Sequence, residues 1–187
     1  AYESTLWGWA KALEYRDKET EGHSRRVVEI TRTLSLAIGI NEEDELTNIR
    51  RGAILHDIGK LAIPDYILLK SGVLTAKEWD IMSQHPRLGY EMISEIDYLK
   101  DSLDIIISHH ERWNGSGYPK GLKGEEIPLA ARIFSVADVW DAVQSNRPYK
   151  KAWSREEAVE YLGSNTGKLF DPNIIKVFLA LAEQGKI

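Results

Sequence analysis

Leu46-Thr47-Asn48-Ile49-Arg50-Arg51-Gly52-Ala53-Ile54-Leu55-His56-Asp57-Ile58-Gly59-Lys60 is the stretch on which the fold turns. Its apolar stripe Leu46, Ile49, Ala53 advances by three and four residues, the period of a helix with one buried face. The stripe ends on His56, followed at once by Asp57, and the helix should stop at Ile58, Gly59 and Lys60. Working outward, Val27, Ile30, Thr31, Leu34 and Ile38 repeat at the same spacing, and no segment alternates as a strand would. The pattern predicts an all-α bundle, with helices at roughly 3–16, 20–39, 42–57, 75–97, 101–110, 127–145, 154–163 and 171–185. Asn41, the capping boxes Thr75/Glu78 and Ser154/Glu157, and Asp171 before Pro172 mark helix starts. One connection is long: residues 112–128 carry Gly115, Gly117, Pro119, Gly121, Gly124 and Pro128, the kind of loop usually kept for function.

With 187 residues and 43% hydrophobic content, the chain has the size of one domain with a real core. A net charge of −5 argues against a broad hold on a DNA or RNA polymer but leaves room for a local phosphate pocket. The absence of cysteine excludes disulfides and restricts any metal to nitrogen and oxygen ligands. No apolar run would span a bilayer and no secretory signal opens the chain, so a cytoplasmic domain is the simple expectation. Because the sequence starts at Ala1 and enters a Trp-rich amphipathic stretch almost at once, it is expected to be cut from a longer protein. Residues 1–18 would then be the end of a linker from an upstream regulatory domain and 19–187 the functional domain. That missing region could anchor the whole protein to a membrane.

Each of the five histidines sits on or beside an apolar helical stripe, where an unpaired imidazole is costly to bury. His23 lies four residues after Glu19 and four before Val27, so the two could grip one ion. His85 stands next to Pro86, His109 and His110 close the stripe Leu103, Ile106, Ile107, and Asp138 lies four after Phe134 and three before Asp141. Taken singly, His23 or His85 reads as a core histidine bonded to a carbonyl, and Glu19, Asp138 or Asp141 as an ordinary cap or surface charge. Together, eight such groups are most economically compensated by divalent cations, two or three of them sharing Asp57. Such a cluster acidifies a bridging water and clamps a phosphoryl centre, so phosphoester hydrolysis is the natural reaction. The donor set suits transition metals, with iron or manganese favoured. Lys60, Arg147 and Lys150 could hold phosphate oxygens; the alternatives are a solvated Lys60, and a helix C-terminus complemented by Arg147 and Lys150.

His56-Asp57-Ile58-Gly59-Lys60 resembles the HD motif of HD-domain phosphohydrolases. His109-His110-Glu111 with Gly115 and Gly117-Tyr118-Pro119 resembles the HHE and GYP signature of the HD-GYP subgroup. Gly22-His23-Ser24, His85-Pro86, Asp138-Val139-Trp140-Asp141-Ala142 and Arg147-Pro148-Tyr149-Lys150 extend the likeness over most of the chain. The resemblance implies an HD-type helical bundle with additional helices and a long GYP loop. It implies metal ligands at His23, His56, Asp57, His85, His109, His110 and Asp138, with Glu19 filling the position that favours three ions over two. It further implies cleavage of cyclic di-GMP to pGpG and on to GMP, with Asp57 and Lys60 in the catalytic centre. Lys60, Arg147 and Lys150 would be the phosphate ligands. Asp141 would orient a ligand or Lys60. Tyr118 would either meet a guanine face or pack the loop. Gln144, Asn146 and Asn114 depart from residues common in the subgroup and bear on substrate preference.

Two further functions fit the same residues: a catalytically silent cyclic-dinucleotide receptor, and a phosphodiesterase of a hybrid cyclic dinucleotide. Leu6, Trp9, Ala10 and Leu13 should pack the first helix on the bundle, leaving Trp7 exposed for a homodimer contact. Trp79, Trp113, Trp140 and Trp153 should anchor core or loop, and an upstream sensor or receiver domain would supply the input.

Overall fold

A computed structural model describes residues 2–17, 22–146 and 151–187. Among these residues the chain is helical, with no sheet and two isolated bridges, Asn114 to Lys123 and Thr166 to Phe170. The helices are α1 (Tyr2–Asp17), α2 (His23–Ile38), α3 (Glu43–Leu55), α4 (Asp65–Leu68), α5 (Ala76–Met82), α6 (His85–Ile93), α7 (Leu103–Ser108), α8 (Leu129–Gln144), α9 (Arg155–Ser164) and α10 (Pro172–Glu183). None is long and apolar enough to cross a membrane.

The core is built around α8, whose Ala131, Ile133, Phe134, Val136, Ala137 and Trp140 are all buried. It packs on α2 and α7, and α2 in turn packs on α3. Phe134 is fully buried and stands under the histidines, its ring 4.7 Å from that of His56 and 6.0 Å from that of His109. Burial of a side chain of that size contributes about 1.5–3 kcal/mol. The sequence stripe is realised as read: Ile49 and Ala53 face inward, as do Val27, Thr31 and Leu34.

Several local expectations are corrected. The helix expected over 75–97 breaks at Ser83 and Gln84 into α5 and α6, because Pro86 has no N–H to give to the Met82 carbonyl. The stretch after His56-Asp57 is a 3₁₀ turn (Ile58–Ala62) followed by the short α4, where no helix was expected. Both capping boxes form, at Thr75/Glu78 and Ser154/Glu157, and Asp171 caps α10. Asn41 caps nothing: Glu42 holds the N-cap of α3, and the Asn41 amide donates to the Gly39 carbonyl at 3.0 Å. In α1, Leu6, Ala10 and Leu13 are buried, but Trp9 is 37% exposed. Trp7, expected outside, is half-buried against the core, with the Arg25 guanidinium from α2 4.7 Å above its ring. Trp7 is therefore less open than its helical phase suggests.

Gly59 decides how closely the 3₁₀ turn approaches α6. A Cβ at this position would collide with the His85 carbonyl oxygen and the Gly89 nitrogen, both backbone atoms. Only hydrogen fits, and the absence of a side chain lets Asp57 and His85 come together. Gly59→Ala is expected to cost about 1–3 kcal/mol or more through overpacking; a thermal melt showing wild-type stability would count against this close contact.

Candidate metal centre

Three helix ends prepare the site. The last carbonyls of a helix lack intrahelical partners, and here imidazoles take them. His56 Nδ1 lies 2.8 Å from the Ala53 oxygen in the last turn of α3. His85 Nδ1 lies 2.8 Å from the Met82 oxygen that Pro86 leaves without a helical donor. His109 Nδ1 lies 3.1 Å from both the Ile105 and Ile106 oxygens at the end of α7, the first of which also accepts the His109 backbone N–H. A carbonyl only accepts, so in each neutral ring the proton sits on Nδ1 and the Nε2 lone pair is turned into the site. His23 is fixed the same way by a carboxylate, its Nδ1 being 2.7 Å from Asp141 Oδ2.

The inward atoms fall into two groups. Asp57, His85, His109 and His110 each offer a ligand atom to one, and His23, His56 and Asp138 to the other. Asp57 faces both: Oδ2 lies 3.2 Å from His56 Nε2, while Oδ1 lies 3.2 Å from His85 Nε2 and 3.4 Å from His109 Nε2. The Nε2 atoms of His85 and His109 approach each other to 3.3 Å. With the protons on Nδ1 these are meetings of lone pairs, and Asp57 Oδ1 is buried with no hydrogen-bond partner. Such an arrangement is costly unless a cation sits among the donors. The residues present thus fit divalent ions, in a donor set of imidazole and carboxylate alone.

The electrostatics agree at His109 and His110 and differ at His56. Burial works against the charge of Asp57, yet Lys60 and His56 outweigh it and hold the carboxyl well below its usual range. Burial also opposes ionisation of Asp138; when no ion is bound, protonated His23 and His56 beside it hold its carboxyl far below normal. Burial lowers His109, and it drives His110 well down with help from its imidazole neighbours, so both favour the neutral form a metal needs. Burial would lower His56 too, but the carboxylates of Asp57 and Asp138 raise it.

Around the cluster, Lys60 Nζ lies 2.8 Å from Asp57 Oδ2. Asp141 does not reach Lys60 in the described contacts; it pairs with His23 and with Arg26, whose Nε donates to Oδ1 at 2.6 Å. The Tyr118 ring stacks on His110 at 4.7 Å and 16°, so one of its faces is already used in packing. Trp79, expected as an anchor, is instead 49% exposed and meets Tyr118 edge-on at 5.7 Å. Glu19, Arg147 and Lys150 lie outside the described residues.

The long loop is secured by Glu111, buried, which accepts from the backbone N–H of Lys120 at 2.7 Å and of Leu122 at 2.9 Å. The HHE motif marks its position in the sequence but carries no local signal for this task. A Cβ at Gly117 would strike the backbone of residues 110–112, so the loop can fold back only on glycine there. Asn114 accepts from the Ser116 N–H at 3.0 Å and Asn146 from the Ala152 N–H at 2.9 Å, so each of these departures still supplies a turn acceptor. Gln144 donates to the Trp140 carbonyl at 3.1 Å.

The model of the HD domain matches residues 9–174. The chain belongs to the HD-domain family, whose phosphohydrolases are metal-dependent. It is 46% identical over 177 residues to the cyclic di-GMP phosphodiesterase response regulator RpfG of Xanthomonas campestris pv. campestris, covering 94% of this chain and 47% of that protein. It is 44% identical over 173 residues to a cyclic di-GMP phosphodiesterase of Thermotoga maritima, covering 91% of this chain and 47% of that protein. The chain therefore spans about half the length of these curated relatives. Its fold is similar to the crystal structure of a cyclic GMP-AMP-specific phosphodiesterase of V. cholerae, V-cGAP3, with a TM-score of 0.74 and 23% identity over 96% of this chain and 48% of that one.

Two outcomes are expected. Manganese(II) added to metal-free protein should raise the melting temperature, by the equivalent of about 2.7 kcal/mol at a free concentration a hundred times Kd; an unmoved melt would argue against an ion-binding cluster. Glu111→Ala strands two backbone donors at about 1–3 kcal/mol each, so limited proteolysis should cut residues 115–124 faster than in the wild type.

Proposed function

We propose that this chain is a metal-dependent phosphodiesterase acting on cyclic di-GMP. The observation that carries the reading is the pair of inward ligand groups meeting at Asp57, with its buried and unpartnered Oδ1. The substrate is taken from the two relatives above, named cyclic di-GMP phosphodiesterases at 46% and 44% identity.

In this proposal Asp57, His85, His109 and His110 hold one ion, and His23, His56 and Asp138 another. Asp57 joins the two, and Glu19 adds a third site, with iron or manganese as the metal. Bound ions would supply Lewis acidity toward the phosphodiester and acidify the attacking water. The protein's own groups do the rest. Lys60 places a cation beside Asp57 for a non-bridging phosphate oxygen, joined by Arg147 and Lys150. Asp141 keeps the His23 proton on Nδ1, which makes it a positioning residue. Tyr118 closes the cleft beside His110. One cleavage opens the ring to pGpG and a second releases GMP. A sensor or receiver domain ahead of α1, a cytoplasmic setting and a homodimer belong to the same proposal.

The test is anaerobic turnover by protein loaded with iron(II) or manganese(II), with metal per chain and products measured in the same sample. pGpG or GMP should form, and Asp57→Ala should abolish turnover, a loss of about a thousandfold or more. Faster cleavage of cyclic GMP-AMP in a parallel assay would move the substrate to the hybrid dinucleotide. Full metal loading and nucleotide binding without product would make the chain a receptor instead.

A further inference from the structure

The last turn of α1 grips the segment that carries Lys60. Arg16 donates through Nη1 to the Lys60 carbonyl at 2.8 Å and the Leu61 carbonyl at 3.0 Å, and through Nη2 to the Ile63 carbonyl at 2.6 Å. The same guanidinium pairs with Asp65 Oδ1 at 2.8 Å, so one side chain fastens the whole 3₁₀ turn and the start of α4. Its neighbour Asp17 turns to the Lys60 side chain, with Oδ2 3.0 Å from Nζ. Lys60 Nζ is thereby shared between Asp17 on α1 and Asp57 in the ligand cluster.

The side chains of Asp17 and Lys60 are 3% and 15% exposed, which separates this pair from a surface salt bridge worth little. Two carboxylates drawing on one ammonium from different sides fix its place more closely than either alone. Removal of Asp17 would take away the pull from α1, leaving the ammonium, already 2.8 Å from Asp57 Oδ2, turned more fully to the group that joins the two ligand sets and away from the cleft.

We propose that Asp17 is a positioning residue for Lys60, with Arg16 holding the backbone beneath it, so that α1 sets where this cation meets a substrate phosphate. The inference rests on the phosphodiesterase reading for its substrate.

Asp17→Asn, Asp17→Glu, Lys60→Met and the Asp17→Asn/Lys60→Met double variant separate the roles. Each is assayed for metal-loaded turnover of cyclic di-GMP, for calorimetric binding of the same nucleotide by metal-free protein, and for melting temperature. Asp17→Asn is expected to lower kcat/KM and weaken binding about tenfold, with metal content close to wild type and the protein still folded at the assay temperature. Asp17→Glu should recover most of that loss, and the double variant should be no worse than Lys60→Met alone. Wild-type binding and turnover in Asp17→Asn, losses that multiply in the double variant, or losses that follow the melting temperature would each overturn the assignment. A wild-type chain that binds but does not turn over would sink the phosphodiesterase reading, while the binding arm would still decide the role of Asp17.

Discussion

The position of one proton on each imidazole governs the rest of this structure. Helices α3, α5 and α7 end with carbonyls that need donors, and His56, His85 and His109 supply them through Nδ1. That satisfies the helix ends and, in the same act, aims three Nε2 lone pairs at a common space. Neither result is available without the other. A ring turned over would leave a carbonyl unpaired and present an N–H to the cluster, where it could not ligate a metal. Pro86 serves the same end from the backbone, since its missing N–H leaves the Met82 oxygen for His85.

The walls then follow from packing. Phe134 of α8 supports the imidazole rings from below, Gly59 permits the approach of the Asp57 segment to α6, and Glu111 ties down the loop that brings Tyr118 over His110. Low local polarity makes unpaired donors and acceptors expensive, so the inward lone pairs amount to a strong demand for positive charge. Lys60 answers part of it from the rim, and the ligand groups leave the remainder to ions.

Much of this was legible because it is local. The helix carrying His56, the capping boxes and the His-Asp pair are written within spans of a few residues, and periodicity reads them directly. The break between α5 and α6 was half visible in Pro86, but a long apolar pattern overrode it. What escaped were contacts across the chain: Arg26 meets Asp141 115 residues away, Lys60 meets Asp17 across 43 and Arg16 meets Asp65 across 49. No spacing rule reaches that far. Trp7 and Trp9 depart from their expected exposure for the same reason, since the rest of the bundle and not the phase of α1 alone decides which flank is covered. Arg26, three residues after His23 on one helical face, was the missed partner with a local signal.

The double duty of the histidines bears on how such a site changes over generations. A descendant that abandoned its chemistry would still unravel helix ends if it lost His56 or His109, so selection for a stable fold alone would keep them. Asp57 and Asp138 close no helix end; their burial is offset only by the side-chain charges of Lys60, His56 and His23, so an uncharged side chain of similar size could stand there without unpairing a backbone group. In a lineage drifting toward silence the carboxylates should therefore fail before the imidazoles.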